Sequence, residues 1–353
     1  MSDRGNTAER FRKYNMATGA RPALTICTKE RSMSIPNCKL SCSILLVATV
    51  FVMGAHGPGS VHAAALDKPK VYFTKNINPE GMLKLYNLMN KDISGRVAVK
   101  VHTGEPNAPN ILSRDLVKAV TDSIPGATIV ETNTYYDSPR KTTQGHRKVI
   151  ADNGWTFAPV DILDEEGSVN LTVPGGKWFK KIAMGSHTTN YDSLVVLTHF
   201  KGHSIGGFGG SLKNIAIGLA SAPDGKKQMH SLDGDPFGAQ SERFMEHMAE
   251  SGKAIQTHFG RRMAYINVLN KMSVDCDCAG VSAEPPTVPD IGLVASPDLL
   301  AVDQASIDMI YALPEDQRAH LVERFESRSG LHQLKAMERL GMGSREYELV
   351  IID

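Results

Sequence analysis

Asp192-Ser193-Leu194-Val195-Val196-Leu197-Thr198 is a nearly all-apolar run, and it leads into His199-Phe200-Lys201-Gly202-His203-Ser204-Ile205-Gly206-Gly207-Phe208-Gly209-Gly210-Ser211-Leu212-Lys213-Asn214. A strand that is apolar on both faces must be covered on both, which is the position of a central strand in a parallel sheet with helices above and below. The turn after it then lies at the strand's carboxyl end, where open α/β sheets place their ligands. Glycines entering a helix also present backbone N–H groups that suit an anion. Gly206, Gly207, Gly209, Gly210 and Asn214 are therefore expected to bind a ligand, with Lys201 and Lys213 as catalytic cations and His199 and His203 as metal ligands. The alternative is a turn whose glycines let a helix and a strand pack closely. The spacing matches neither the dinucleotide fingerprint nor the Walker loop: Gly207-x-Gly209 has no third glycine in place, and no Gly-Lys-Ser/Thr closes the turn.

Working outward, apolar β-rich runs alternate with amphipathic stretches. Strands are expected over residues 70–74, 96–102, 127–132 and 158–163, with helices around 79–90, 113–123 and 143–152 between them. This βαβ rhythm predicts an α/β fold, a mostly parallel sheet with helices on both faces. Residues 169–173 and 178–183, joined by Pro174-Gly175-Gly176, read as an inserted β-hairpin. The C-terminal half reads as helix-rich: a helical middle over 241–269, a short strand at 271–274, another at 291–295, helices to about 340 and a last strand over 346–352.

Two more polar clusters follow expected strands. Lys100 and His102 share one side of the first by alternation, and Glu105 comes three residues on. The second runs Glu131-Thr132-Asn133-Thr134-Tyr135-Tyr136, with Arg140 and His146 beyond it. Lys100 joins the catalytic candidates, Asn133 and Arg140 the ligand-binding ones, and His102 and Glu105 the metal ligands. A histidine is a hydrogen-bonded structural group as readily as a ligand.

Cys276 and Cys278, in Val274-Asp275-Cys276-Asp277-Cys278, form the remaining chemical feature. Cys27, Cys38 and Cys42 precede or border residues 43–55, an uncharged apolar block that ends in Val61-His62-Ala63-Ala64-Ala65. Small residues at the exit of such a block suit signal-peptide cleavage after Ala63 or Ala65, with Met33 as the expected start. Residues 1–65 thus read as a targeting segment and 66–353 as a single α/β domain, with room for two lobes, in the periplasm or outside the cell. The apolar block falls short of the about 20 residues that span a bilayer, so no stable membrane span is expected after cleavage. Residues 1–65 hold eight Lys/Arg and three Asp/Glu of the chain's 39 and 38, which leaves 31 and 35, a net of −4. Nothing in that balance points to nucleic acid. A C-x-C pair in an exported chain suits a metal or cluster site, a redox dithiol, or no chemistry at all.

The runs 99–105, 131–136, 199–203, 206–214, Met229-His230-Ser231 and Asp275-Cys276-Asp277-Cys278, with Pro289-Asp290-Ile291-Gly292, Asp298, Asp303 and Gly343-Ser344-Arg345-Glu346-Tyr347 beyond them, resemble in order the iron-sulfur-centre proteins of the domain-of-unknown-function family 362. The similarity covers almost the whole of residues 66–353. It implies an association with a transition metal or an iron-sulfur centre. Many relatives carry a ferredoxin-like cysteine insert after the Met-His-Ser segment; here Leu232-Asp233-Gly234-Asp235-Pro236 follows without a cysteine, so a four-cysteine cluster cannot form within residues 66–353 of one chain. Three functions follow as expectations. The first is metal-dependent or redox chemistry on a small anionic substrate, an oxidoreductase among the options. The others are small-anion binding without catalysis and a C-x-C dithiol cycling with partner thiols. A homo-oligomer stays open.

Overall fold

The computed structural model describes residues 68–353; the expected targeting segment, with Met33, Cys27, Cys38 and Cys42, lies outside the described residues. The run that opened the sequence reading is β7 (Ser193–His199), buried at every position. It lies inside an eight-stranded sheet with β1 (Lys70–Thr74), β2 (Val97–Lys100), β3 (Thr128–Glu131), β4 (Val160–Ile162), β10 (Met263–Leu269), β11 (Gly292–Ser296) and β12 (Glu348–Ile351), in the order β12-β1-β11-β10-β7-β2-β3-β4. Five of its seven pairings are parallel, and β11 runs antiparallel to both neighbours. The fold is the mostly parallel α/β sheet that the alternation predicts.

Alternate side chains of β7 enter two separate cores, Leu194 and Val196 on one face, Val195 and Leu197 on the other. The second face is covered by α1 (Pro79–Met89), through Met82 and Leu85, and by α2 (Arg114–Ser123), through Leu116 and Val117. The first is covered by α4 (Ser211–Gly218), by Met229 of the short α5 (Lys227–His230), and by α6 (Ser241–Phe259) and α7 (Leu299–Tyr311). Helices start where capping chemistry permits: the Asn78 side chain accepts from Gly81 N at 2.8 Å ahead of Pro79, and Asp298 accepts from Ala301 N at 2.8 Å. Between α2 and α4 lie α3 (Thr143–Asp152) and the inserted hairpin of β5 (Ser168–Thr172) and β6 (Lys181–Gly185). The buried Glu250 carboxylate on α6 ties the hairpin's end down by accepting from the amides of Lys177, Trp178 and Phe179 at 2.7–3.1 Å.

A second, small hairpin carries the polar turn: β8 (Lys201–His203) pairs with β9 (Gly207–Gly209). It is pinned by a buried aromatic group, Phe200 stacked on Phe208 at 5.5 Å and Phe325 edge-on to Phe208 at 5.7 Å. Each such ring contributes about 1.5–3 kcal/mol by burial. Phe325 comes from α8 (Glu315–Ser327), a charged helix that buries only Leu321 and Phe325; α9 (His332–Arg339) follows it.

Two expectations need correction. The helical middle ends at Phe259, and residues 263–269 are the strand β10, because Met-Ala-Tyr-Ile-Asn-Val-Leu is the run that pairs with β7 from Met263↔Leu194 to Val268↔His199. Residues 271–274 are not a strand: Lys271 takes a positive φ of 46°, and the chain turns there into a loop. Among the described residues no helix is long and apolar enough to cross a membrane.

Candidate functional site

Strands β7, β2 and β3 are neighbours in parallel register, with Lys100 opposite both Val196 and Val130. Their carboxyl ends therefore carry His199, His102 and Thr132 to one edge of the sheet, as the strand endings predict. A buried ion network fills that edge. Glu131 meets Lys100 Nζ at 3.0 Å through Oε2, and its Oε1 accepts from Thr103 N at 2.8 Å and from the Arg140 guanidinium at 3.1 Å. Arg140 also reaches Glu105 Oε1 at 3.1 Å, which accepts from Tyr136 OH at 2.5 Å. Burial works against the Glu131 carboxylate, but Lys100 and Arg140 overcome it and hold its pKa well below the usual range.

These contacts define what the first candidates do. Lys100 is enclosed between Glu131 and the Val101 carbonyl, and its stem passes under Gly218, where a Cβ would lie 2.2 Å from Lys100 Cε. His102 Nδ1 accepts from Gly104 N at 3.1 Å, and its Nε2 faces Arg140 at 3.4 Å. Neither nitrogen is turned to a shared metal site. Asn133 bonds Thr143 Oγ1 at 3.1 Å and His146 Nδ1 at 3.2 Å. Asn214 bonds the Leu197 carbonyl at 3.1 Å and Thr198 Oγ1 at 3.0 Å.

A second network is built by Asp277, the residue between the cysteines. Its Oδ1 lies 2.9 Å from His199 Nδ1, and Lys201 Nζ lies 2.8 Å from Oδ2, an ion-pair contact off the hydrogen-bond line. Burial would raise this carboxyl, yet Lys201 and His199 hold its pKa far below the ordinary value. His199 Nε2 meets the Asn270 carbonyl at 2.9 Å, so both of its nitrogens face acceptors. His199 thus anchors the cysteine loop and has no lone pair aimed at a metal.

That loop follows β10 and folds back over the sheet edge. Gly202 N donates to the Ser273 carbonyl at 2.8 Å, and Arg324 holds the Val274 carbonyl at 2.8 Å and Asp275 Oδ1 at 3.1 Å. Cys276 and Cys278 are joined as a disulfide, their Cα atoms 5.2 Å apart. His203, Cys276 and Cys278 each offer a ligand atom, and the three lie within 4.8 Å of one another. His203 Nδ1 accepts from Gly206 N at 2.9 Å and Ile205 N at 3.3 Å, which orients the ring. Burial, then the neighbouring Lys213 charge, drives its pKa well below the usual value, so the ring is neutral. Asp161, Glu165 and His187 form another such group near β4, but His187 already spends its nitrogens on Asp161 at 2.8 Å and Glu166 at 3.2 Å.

The glycine turn serves close packing. A Cβ on Gly202 would lie 2.2 Å from Val274 O, and one on Gly207, where φ is +77°, 2.5 Å from Gly330 Cα. The start of α4 is capped from afar: buried Asp303 accepts from Ser211 N at 2.7 Å and Leu212 N at 2.9 Å, so neither amide is open to an anion. Burial lifts the Asp303 pKa to about 6. Lys213 is different. Its stem and that of Lys201 converge over Gly209, at 3.4 and 3.7 Å from where a Cβ would stand, and no ion pair or hydrogen bond joins its amine to any described residue. Burial first, then the Lys201 charge, lowers its pKa to about 7.

Sequence reasoning passed over Asp277, Glu131 and Asp303, the acids that organise the site. Asp277 was visible as a neighbour of the cysteines and Glu131 as a strand end; nothing local linked Asp303 to the turn.

The chain is thus a mixed, mostly parallel α/β protein with a buried ion network and the Cys276–Cys278 pair at the carboxyl edge of the central strands. It belongs to the family described as Domain of unknown function (DUF362), whose model matches residues 97–308. No curated protein matches it. Among solved structures it is similar to the lactate racemase apoprotein from Thermoanaerobacterium thermosaccharolyticum, with 14% identity and a TM-score of 0.40 over 69% of this chain and 57% of that one. It is also similar to a protein from Thermotoga maritima, with 10% identity and a TM-score of 0.37 over 74% and 58%. The chain spans less than two thirds of the length of either.

Proposed function

We propose that this is an exported protein in which Cys276, Cys278 and His203 form a redox-sensitive centre for a soft transition metal, next to a cationic pocket for a small anionic substrate. The observation that carries the reading is the convergence of three ligand atoms, from strand β8 and the cysteine loop, within 4.8 Å of one another. Two thiolates and an imidazole suit zinc, iron or copper, and not magnesium or calcium, which prefer oxygen ligands. Only the reduced pair can ligate, because a disulfide has no thiolate to offer. Metal content is therefore expected to follow the redox state of Cys276 and Cys278. Lys213 and Lys201 are the cations whose charges reach His203, Lys201 being already paired with Asp277.

The test is elemental analysis of protein purified anaerobically with reductant, with Cys276→Ser/Cys278→Ser alongside. Wild type is expected to carry close to one metal ion per chain and the double variant none, with unchanged circular dichroism. His203→Gln should weaken binding by at least the about 10–100-fold that loss of a supporting group costs, because here a ligand itself is removed. A reduced wild type that takes up no zinc, iron or copper overturns the metal reading. The disulfide itself favours a second reading, a dithiol that exchanges with partner thiols, which a thiol titration at controlled potential would then display as a two-electron transition.

A further inference from the structure

The two outer strands of the eight-stranded sheet are finished differently. β4 has three residues, follows Pro159, and turns Asp161 to His187 and Tyr191, both at 2.8 Å. Short length, proline and a charged side chain are the usual means of keeping an edge from pairing with another chain. β12 is longer, reads Glu-Leu-Val-Ile, and has neither proline nor lysine. Toward β1, Glu348 N donates to Pro69 O at 3.0 Å and Ile352 N to Phe73 O at 2.9 Å. By alternation, Leu349 and Ile351 turn their N–H and C=O groups to the open side. These two residues also carry exposed apolar side chains, 45% and 64% accessible. Leu88, exposed as well, lies one turn beyond Lys84 on α1, and Lys84 Nζ rests on the Ile352 carbonyl at this same edge. Three of the four large apolar side chains exposed among the described residues thus gather here, which marks the edge as a contact surface.

We infer that β12 pairs antiparallel with β12 of a second copy of this chain, about a two-fold axis through Val350, so that two eight-stranded sheets become one. This goes beyond the function proposed above and depends on neither the metal nor the anion. An antiparallel pair exchanges hydrogen bonds between residues whose polar groups both face across, so outward residue must meet outward residue. A two-fold axis through Val350 meets that condition: Leu349 pairs with Ile351 of the copy, and Ile351 with Leu349 of the copy, each pair exchanging both of its N–H···O bonds. The same register sets the exposed apolar side chains of one copy against those of the other on one face of the sheet. On the opposite face, Glu348 meets Ile352 of the copy, and Ile352 is the residue whose carbonyl holds Lys84. Glu348 makes no ion pair among the described residues, so Lys84 of each copy comes to an unpaired carboxylate of the other. That charge match, made twice by symmetry, selects a second copy over an unrelated strand. The contact uses the same patch on both chains and therefore closes at two copies.

The experiment measures the mass of the full chain in solution by sedimentation velocity at micromolar concentration and low salt. Wild type is expected to be a dimer. Leu349→Lys/Ile351→Lys should be a monomer with unchanged circular dichroism, because both side chains are exposed. Lys84→Glu should weaken the dimer, and Lys84→Glu/Glu348→Lys should restore it, a rescue that loss of local structure would not give. Cross-linking reads the register. Across the axis the two Val350 residues face each other without hydrogen bonds, their Cα atoms about 4.5 Å apart, which is within disulfide reach. Val350→Cys should therefore yield a covalent dimer on mild oxidation, mapped by peptide analysis to position 350 of both chains, whereas Leu349→Cys, which faces Ile351 of the copy, should not. A wild-type chain that stays monomeric, a dimer that survives Leu349→Lys/Ile351→Lys, or charge reversal without rescue overturns the inference. Leu349→Cys linking to itself as readily as Val350→Cys overturns the axis through Val350. Elemental analysis of the same samples tests the metal reading separately, so either can fail alone.

Discussion

Arg140 shows how much of this site is charge held in place by charge. Its guanidinium meets Glu131, Glu105, His146 and His102 together, all within 3.4 Å, while almost fully buried. Replacing it with Met leaves buried Glu105 without a cation and Glu131 with Lys100 alone, so Arg140→Met should cost about 3–5 kcal/mol in a urea titration; a loss below 1 kcal/mol would show that water takes over the guanidinium's role. His146 gives a pH signature. Arg140 Nε donates to its Nε2, so the ring's proton is on Nδ1, facing Asn133, and burial followed by the Arg140 charge lowers its pKa to about 2. The unfolded chain binds a proton near pH 6.5 and the folded ring refuses it. Stability is thus lost as pH falls from about 6.5 toward 2, by no more than about 1.4 kcal/mol per pH unit from this group. His146→Gln should be less stable at pH 7, because its bonds are imperfectly replaced, but should flatten that slope between pH 6 and 4. An unchanged slope would assign the acid sensitivity to other groups.

At the scale of elements, the decisive contact is between β8 and the cysteine loop. Gly202 admits the Val274 carbonyl to a distance at which a Cβ would clash with backbone, and backbone cannot rotate away as a flexible side chain can. Gly202→Ala is therefore expected to push the loop outward, at a stability cost of about 1–3 kcal/mol, and to make the reduced cysteines react faster with a thiol reagent. If both stability and thiol reactivity stay at wild-type values, the close approach does not hold the loop. Asp303 acts in the same way at the start of α4, where its carboxylate does for two amides what a local capping residue does elsewhere. Its pull also explains why a turn rich in glycine is not a phosphate cradle: the anion is already there, supplied by α7.

For the whole molecule, the first question is whether the chain is cut. The apolar block and its small-residue exit predict a mature N-terminus at Ala64 or Leu66. Sequencing the N-terminus of protein recovered outside the cytoplasm checks this, and a chain still carrying residues 33–63 would refute cleavage. The sheet itself was legible because its information is local. An apolar run such as residues 193–199 is a buried central strand whatever surrounds it, and the alternation of runs dictates parallel connection. Hence β2, β3 and β7 with their polar ends, and the hairpin of residues 169–173 and 178–183, are legible in the sequence. The boundary near Met263 was misread because a short apolar run fits a buried helix and a buried strand equally well until its partner is known. The meaning of each charge was not legible. Asp277 stands between the cysteines in sequence, yet its carboxylate turns to His199 and Lys201, 78 and 76 positions away in number; Asp303 reaches a helix start 92 residues earlier. Electrostatic partners are chosen by distance through space, steeply in a medium that screens poorly, and sequence carries no such distance. The sequence alone determined the order of strands and helices and the polar character of one sheet edge; only the tertiary structure decided which cations there are neutralised and that Lys213 is left without a partner.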